Sequence, residues 1–441
     1  MSDPVQNLSR RSAVKGLALA SAAPSLFAKG AGEKFVIGAI GLGGRGTQHA
    51  ILLAAREDVE LAYVCDPDLS RAEKAAVKVE EAGGRKPRVV QDLREILEDD
   101  AVDAVTVATP DHWHAPATIL ACEAGKHAYV EKPCSHNVRE GRLMVEAARR
   151  HNRIVQVGTQ ARNSVHVKRA VELIQGGAIG DVLVAKAWNS QKRKDIGRGT
   201  AGEPPGNLDY DLWLGPTPEI PYHSNRLHYN WHWRYDFGTG DMGNDGVHEL
   251  DLALWGLGVD ERHPESVSAI GNKLFFDDDQ QFPDTQNVVF DFAPTDSDPQ
   301  RKQLVFEMRI WAPYTLEGYE NGNAFYGTKG FLLLGKNDSF RLYGPGNELI
   351  EEMKADGANA RNTQIHHADF LNCIRNGGLP RADIEKGHHG ATACHLGNIA
   401  SRLKRTLFFD GESESFTGDE EANQLLTRNY REGHWAVPAN T

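Results

Sequence analysis

The sequence has few cysteines and no excess of positive charge, and each shortage excludes a class of protein. Its 441 residues include five cysteines, an odd number with no CxxC pair and no zinc-type spacing. A disulfide framework is therefore disfavoured, and we expect buried, unpaired thiols. The 49 Lys and Arg residues are outnumbered by 61 Asp and Glu residues, which gives a net charge of −12. Neither nucleic acid nor an anionic membrane surface is the expected partner of so acidic a chain.

The sequence also lacks a hydrophobic run long enough for a stable membrane anchor. Its N-terminal apolar run has roughly 13 residues, which is too short to cross a bilayer. The run follows SRRSAVK, Ser9–Lys15, whose pattern resembles a twin-arginine export signal. A disordered basic tail is the alternative interpretation. We expect residues 1–32 to be a signal peptide that exports the folded protein, which would then be periplasmic or secreted.

The remaining chain shows two successive patterns of predicted strands and helices and no internal repeat. In residues 33–157, short apolar strands alternate with helices, which predicts an α/β Rossmann domain with a parallel sheet covered on both faces. In residues 158–441, longer strands with partial alternation predict an α+β domain with a large, mostly antiparallel open sheet. The late helices of this second domain are candidates to pack back on the first.

A glycine loop at the first strand–helix junction predicts a dinucleotide site. Gly41, Gly43 and Gly46 form G-x-G-x-x-G, which lets a pyrophosphate approach the N-terminus of a helix. Asp66 ends the second strand, where a carboxylate can bind ribose hydroxyls and repel a 2′-phosphate. NAD is therefore favoured, but Arg45 and Arg71 leave NADP possible.

The segment ATPDHWHA, Ala108–Ala115, follows another apolar strand and is expected at the cofactor crevice. Its His112 and His114 could instead form a metal pair, although no third ligand is evident and no metal site is predicted.

The order of motifs GLGGRG, CDPD, TPDHWHA, EAGKHAYVEKP, VGTQ and GVHELD resembles the Gfo/Idh/MocA family, named for glucose–fructose oxidoreductase and inositol dehydrogenase. The resemblance runs from residue 34 to about residue 405. It implies a Rossmann domain followed by an α/β domain, with substrate held between the open sheet and the nicotinamide. It also implies sugar, polyol or glycoside substrates, a homo-oligomer, and an exported, carbohydrate-active branch of the family.

The resemblance assigns site residues one at a time. Lys132, in E-K-P, is expected beside the nicotinamide and the reacting hydroxyl, where a buried lysine can exchange a proton. Many members carry an aspartate four residues before His248, but this chain has Asn244, which cannot ionise. Asp245 is a candidate to tune His248, or alternatively a helix cap. The predicted catalytic residues are thus Lys132, His248, Asn244 and Asp245. The predicted cofactor-binding residues are Gly41, Leu42, Gly43, Gly44, Arg45, Gly46, Asp66, Arg71, Thr109, Pro110, His112, His114, Glu131, Lys132 and Gln160.

The aromatic segment HYNWHWRYD, His228–Asp236, is the candidate sugar-binding wall, since aromatic faces stack on sugar C–H surfaces. A core strand is the alternative, and a metal site built on His228, His232 and His248 is a weaker one. The predicted substrate-binding residues are Arg162, Tyr229, His232, Trp233, Arg234 and His248.

These features predict an NAD(P)-dependent oxidoreductase acting on a secondary alcohol of a sugar, polyol or glycoside. An exported enzyme has no free NAD pool, so the cofactor is expected to stay tightly bound. One alternative is a glycosidase or lyase that uses bound NAD for transient oxidation followed by elimination. Another, suggested by Asn244, is a non-catalytic dinucleotide- or sugar-binding protein.

Overall fold

The computed structural model describes residues 32–355 and 359–441. The predicted export signal, apart from Gly32, lies outside the described residues. All five cysteines are buried and unpaired, which confirms the expectation for the thiols. Within the described residues, no helix combines the length and apolarity needed to cross a membrane.

The first sheet has six parallel strands in the order β3-β2-β1-β4-β5-β6, which confirms the predicted Rossmann fold. The order reverses between β1 and β4, and this reversal opens a crevice at the carboxyl ends of the strands. The strands are β1 Phe35–Ile40, β2 Val59–Cys65, β3 Arg88–Val90, β4 Ala104–Val107, β5 His127–Val130 and β6 Val155–Val157. The helices between them are α1 Gly44–Ala54, α2 Leu69–Glu81, α3 Arg94–Leu97, α4 Asp111–Glu123 and α5 Val138–Arg150.

The second sheet has ten strands and is antiparallel except for the β7–β10 pair, so the predicted mostly antiparallel sheet is confirmed. Its order is β14-β13-β12-β11-β7-β10-β9-β8-β15-β16. The strands are β7 Val182–Ser190, β8 Ser266–Asn272, β9 Thr285–Phe292, β10 Lys302–Arg309, β11 Asn321–Gly327, β12 Phe331–Leu334, β13 Ser339–Tyr343, β14 Leu349–Lys354, β15 Leu407–Asp410 and β16 Ser415–Phe416.

Helices cover one face of this sheet, and the strand pattern shows why. Along β9, Val288, Phe290 and Phe292 are buried while Val289 between them is exposed, as expected for a half-covered sheet. Helices α6, α8 and α10 pack on the buried face. The remaining helices of the chain are α6 Val165–Gln175, α7 Tyr210–Leu214, α8 Val247–Leu257, α9 Asn359–Asn376, α10 Ile384–Leu403 and α11 Glu420–Asn423.

The end of the chain returns to the first domain. Phe370 and Ile374 of α9 share a hydrophobic cluster with Phe35 and Tyr129. Near the C-terminus, Ala436 is buried in the cluster that contains Trp113. The core of the nucleotide-binding half is thus completed by residues from the last part of the sequence.

Candidate active site

A cavity of about 540 Å³ opens at the carboxyl edge of the parallel sheet, beside the glycine loop. Gly41 has φ +84°, and a Cβ there would lie 2.6 Å from the Ala108 backbone. A Cβ at Gly46 would lie 1.7 Å from the Gly41 carbonyl oxygen, so this glycine lets α1 pack against the strand end. The space beside Gly44 is open, and no side chain caps the start of α1. Its first N–H groups can therefore bind a pyrophosphate, as a nicotinamide dinucleotide requires.

Asp66 stands at the end of β2 and lines the same cavity. Its carboxylate accepts the Leu42 N–H at 2.7 Å and the Asp68 N–H at 2.9 Å. Burial raises the pKa of Asp66, and these N–H groups oppose the shift. Arg71 also lines the cavity, with its Nε 3.7 Å from the Asp66 carboxylate. The residues therefore fit a cofactor ribose, with an acceptor for its hydroxyls and a nearby cation.

Glu131 also lines the cavity and contacts three neighbouring side chains. Its Oε1 accepts hydrogen bonds from Arg45 Nε at 2.9 Å and from Gln160 Nε2 at 3.0 Å, and His49 Nε2 lies 2.8 Å away. Arg45 and the other cations hold the pKa of Glu131 well below its usual range, although burial opposes them. Arg45 is therefore directed at Glu131. The predicted cofactor residues that line the cavity are Gly41, Gly43, Gly44, Arg45, Asp66, Arg71, Thr109, Pro110, His114, Glu131 and Lys132.

Lys132 and Asn244 meet at the inner end of the cavity, and both line it. Lys132 Nζ donates to the backbone carbonyl of Asn244 and lies 3.3 Å from its Oδ1. Asn244 belongs to a π-helical turn, Met242–Gly246, that precedes α8. Its Nδ2 donates to Asp241 Oδ1 at 3.0 Å. The amide of Asn244 is thus held between a cation and an anion, which fixes its oxygen towards Lys132.

Asp241 provides that anion from a fully buried position. Its carboxylate also accepts from Asn189 Nδ2 at 2.7 Å and pairs with Arg193 Nη2 at 3.0 Å. Position 244 lacks the carboxylate that many family members have there, but Asp241 provides one three residues earlier. The Asp241 carboxylate contacts the Asn244 amide and does not line the cavity.

Asp245 and His248 do not line the cavity, although both are partly exposed. Asp245 accepts from Lys336 Nζ at 2.9 Å and from Gln191 Nε2 at 2.8 Å, and Lys336 helps to hold its pKa well below the usual range. Asp245 is the charge partner of Lys336, and its charge also favours the protonated form of His248. Its predicted role in tuning His248 stays a prediction. Burial, together with Lys336 and Lys132, holds the pKa of His248 well below its usual range, so this imidazole is neutral.

The aromatic wall is formed by only part of the predicted segment. Tyr229, Trp231 and His232 line the cavity, and the His232 ring stacks on Trp231 with centroids 3.6 Å apart. Burial lowers the pKa of His232 to about 3. Trp233 is instead buried, and Arg234 donates to the Asp279 carbonyl at 3.0 Å. These two substrate assignments are therefore corrected, because a 3-10 turn at Asn230–Trp233 directs neighbouring side chains to different surroundings.

Five further predicted residues do not line the cavity. Arg162 is 2% exposed and pairs with Asp251 at 2.8 Å and Asp260 at 2.9 Å, so its assignment to the substrate is corrected. His112 is fully buried against the Trp213 carbonyl oxygen at 3.0 Å, and its assignment to the cofactor is corrected as well. Leu42, Gly46 and Gln160 contribute only through backbone, packing or Glu131 contacts. Each of these residues is already engaged in an ion pair, a packing contact or a hydrogen bond within the protein, which the sequence alone did not show.

Other lining residues were missed from the sequence. Asp111 begins α4, lines the cavity and accepts from Thr239 Oγ1 at 2.6 Å. Burial raises its pKa to about 7. Its place in the quoted TPDHWHA motif could have identified it. Trp113, Trp213 and Trp435 also line the cavity, and no local pattern marks Trp435.

The histidines give little support for a metal at this site. Both ring nitrogens of His114 face carbonyl oxygens, of Pro133 at 2.7 Å and of Thr109 at 3.0 Å, which argues against the alternative metal pair. Elsewhere in the described residues, His263, His388 and Glu414 lie close enough to hold an ion. Arg142 donates to the same carboxylate at 2.7 Å, however, and its charge opposes a cation there.

Two family models match the chain. The model described as an oxidoreductase family with an NAD-binding Rossmann fold matches residues 35–159. The model described as the C-terminal alpha/beta domain of an oxidoreductase family matches residues 187–292 and 336–437. Together the two models cover the first sheet and the residues that line the cavity, but not strands β10, β11 and β12 of the second sheet.

Relatives and solved structures extend this comparison. The chain is 32% identical over 155 residues to glycosyl hydrolase family 109 protein 1 of Shewanella sp. strain ANA-3, and 31% identical over 155 residues to the alpha-N-acetylgalactosaminidase of Shewanella oneidensis. Each match covers 34% of this chain and 34% of the relative, so the chain spans about a third of the length of the curated relatives it matches.

Two solved structures share the fold over most of the chain. Levoglucosan dehydrogenase, solved with NADH and levoglucosan, has a TM-score of 0.65 and 18% identity, and covers 85% of this chain and 99% of its own. Aldose-aldose oxidoreductase from Caulobacter crescentus has a TM-score of 0.64 and 19% identity, and covers 86% of this chain and 100% of its own.

Proposed function

This chain belongs to the Gfo/Idh/MocA oxidoreductase family, and we propose that it transfers hydride between a tightly bound NAD and a secondary alcohol of a sugar, polyol or glycoside. The observation that carries the proposal is the Lys132–Asn244 pair, which lines one cavity with the glycine loop and the aromatic wall. Levoglucosan dehydrogenase, which shares the fold, was solved with NADH and a sugar derivative. NADP remains the second cofactor candidate because Arg71 lies beside Asp66.

The residues of this chain have separable roles in the reaction. Nicotinamide, when bound, accepts or returns the hydride. Lys132 Nζ lines the cavity beside Asn244 and, as the neutral amine, takes the hydroxyl proton during oxidation. Asn244 cannot take a proton, but its fixed oxygen can accept a hydrogen bond from a neighbouring hydroxyl and so orient the substrate. His248 belongs to α8, which follows this turn directly, and Tyr229, Trp231 and His232 contact the sugar face.

The first test is to denature the purified protein without added nucleotide and identify any released cofactor by mass and absorbance. The intact protein is then given a panel of sugars, polyols and glycosides while absorbance near 340 nm and product mass are followed. We expect bound NAD(H) and a keto-sugar product. Lys132→Met should abolish the product, whereas Lys74→Met, at an exposed lysine on α2, should not. Failure of the protein to retain or bind NAD or NADP would overturn the proposal.

A redox-neutral glycosidase is the second candidate, and the glycosyl hydrolase family 109 relatives favour it. In this reaction a sugar carbon is oxidised, the acidified neighbouring C–H loses a proton, and the aglycone leaves. Water then adds, and the hydride returns to the sugar. The same panel separates the two reactions, because the glycosidase releases a free aglycone with no net change in absorbance near 340 nm.

Localisation and assembly complete the proposal. The SRRSAVK segment supports export of the folded protein through the twin-arginine route to the periplasm or beyond. Replacing Arg10 and Arg11 with lysines should retain the protein in the cytoplasm, as cell fractionation would show. We also propose a homo-oligomer, by likeness to the family, and light scattering on the purified protein tests it.

A further inference from the structure

The C-terminal segment supplies an aromatic wall at one end of the cofactor cavity. Trp435 lines the cavity together with Leu93 and Trp113. Its ring lies 5.8 Å from the Trp113 ring, measured between centroids, and the Arg94 guanidinium lies 4.5 Å from the Trp435 centroid. Leu93, Trp113 and Trp435 thus give this end of the cavity apolar and aromatic surface, beside the polar Gln91 and Asp92, and such a surface is suited to a planar base.

The sheet topology places this aromatic end next to the ribose-binding acid. Strands β2 and β3 are neighbours, and the Asp66 N–H donates to the Val90 carbonyl at 3.3 Å. Asp66 follows β2, while Leu93 follows β3 and is adjacent in sequence to Arg94, which contacts Trp435. In a dinucleotide site, the acid after the second strand binds the ribose that carries adenine. The aromatic end is therefore where the adenine is expected.

Hydrogen bonds and the burial of Ala436 fix the C-terminal segment in place. Arg428 Nη2 donates to the His112 carbonyl at 2.7 Å, and Arg431 N donates to the Pro216 carbonyl at 2.8 Å. Directly after Trp435, Ala436 is buried in the core of the Rossmann domain. The Trp435 ring is thus held between anchors on both sides, so little further ordering is needed when a ligand binds.

We propose that Trp435 binds the adenine of the nicotinamide cofactor, and that the segment Arg428–Ala436 thereby helps to keep the cofactor on the enzyme. The inference rests on the proposed function only in requiring a nicotinamide dinucleotide in this cavity. It assigns a cofactor-binding residue to a part of the chain nearly 400 residues from the glycine loop. A flat aromatic face binds a base through stacking, and its contribution does not depend on the hydride-transfer end of the cavity.

The test measures binding of NAD and of ADP-ribose, which lacks nicotinamide, to cofactor-stripped protein by calorimetry. Trp435→Ala and Trp435→Leu should each weaken ADP-ribose binding by about tenfold or more, as loss of base stacking predicts. Trp435→Phe should retain most of the affinity. Trp311→Ala removes an indole on the large sheet, outside the cavity lining, and should leave binding unchanged.

The outcomes separate this inference from the proposed function. If the wild-type protein binds NAD but Trp435→Leu binds ADP-ribose equally well, the inference is overturned and the proposed function stands. If the wild-type protein binds no nicotinamide dinucleotide, both are overturned. Thermal unfolding of each variant shows whether it has folded. Because Trp435→Phe and Trp435→Leu both keep an apolar side chain against the core, a difference between them reports the flat ring instead of folding.

Discussion

Replacing Arg162 with methionine tests whether this residue serves the fold or the substrate. The side chain is 2% exposed, and it bridges Asp251 on α8 and Asp260 just beyond it at 2.8 and 2.9 Å. Methionine fills similar space but leaves the buried Asp251 without its paired cation and Asp260 with only Lys386 Nζ, 3.6 Å away. Removing one partner of a buried ion pair costs about 3–5 kcal/mol, which is a large part of the roughly 5–15 kcal/mol that stabilises a typical protein. We therefore expect a large loss in the free energy of unfolding.

The pH dependence of this loss has a defined sign. Burial raises the pKa of Asp251, and Arg162 opposes that shift, so removing Arg162 raises the pKa further. An acid whose pKa is higher in the folded state contributes stability that is fully present below its unfolded pKa, near 4. That contribution is lost as the pH rises through the folded pKa. Arg162→Met should therefore be more destabilised at pH 8 than at pH 5.

The assay is denaturant unfolding followed by tryptophan fluorescence at both pH values. Arg169→Met is the matched control, since its pair with Glu351 on the second sheet is exposed and screened by solvent and should contribute little to stability. Sugar-dependent activity is measured below the unfolding transition. If Arg162→Met unfolded like the wild type but lost affinity for the sugar, the reasoning from the ion pair would be refuted and a substrate role restored.

Four further variants test the site itself. Lys132→Ala should lower kcat by about 10²- to 10⁴-fold, with NAD affinity retained in calorimetry; an unchanged kcat would exclude Lys132 as the proton acceptor. Asp66→Ser should raise the NADP-to-NAD ratio of kcat/KM by about tenfold by removing a charged hydrogen-bond acceptor; an unchanged ratio would contradict this role. Asp241→Asn should lower kcat by roughly tenfold to a hundredfold, with little change in KM, by releasing the Asn244 amide; a change confined to KM would argue against positioning. Because burial raises the pKa of Asp111 to about 7, its protonated form stabilises the fold below pH 4 and that contribution is lost as the pH rises through 7. Asp111→Asn should therefore show a flatter fall in unfolding free energy from about pH 4 to pH 7 than the wild type, and identical slopes would contradict the assignment.

The Rossmann half could be predicted because its signals are local. Strands buried on both faces are apolar throughout, and Gly46 is required by its contact with Gly41 in the same turn. The second sheet was predictable as a class, since alternation along a strand such as β9 reports one covered face. Strand order was not predictable there, because pairing between distant strands leaves no pattern in either segment.

The substrate side of the site was predicted less well than the cofactor side. Trp231 and Trp233 are two residues apart in a 3-10 turn, and nothing in the local sequence tells which one faces the cavity. Arg162 looked available because its acidic partners lie about 90 residues away. Asn244 cannot ionise, and the sequence alone does not show that the buried Asp241 holds its amide in place. Distant partners decided the case of Arg162, whereas the other two depend on local backbone geometry that the residue types do not show.

Completion of the Rossmann core by α9 and Ala436 sets the order in which this protein can mature. The nucleotide-binding strands leave the ribosome first, yet Phe35 and Tyr129 lack their partners Phe370 and Ile374 until most of the chain has been synthesised. The hydrophobic cluster that contains Trp113 is completed later still, when Ala436 has been synthesised. The first half of the chain therefore cannot mature as an independent unit during translation, and a truncated product would leave its core exposed to chaperones and proteases.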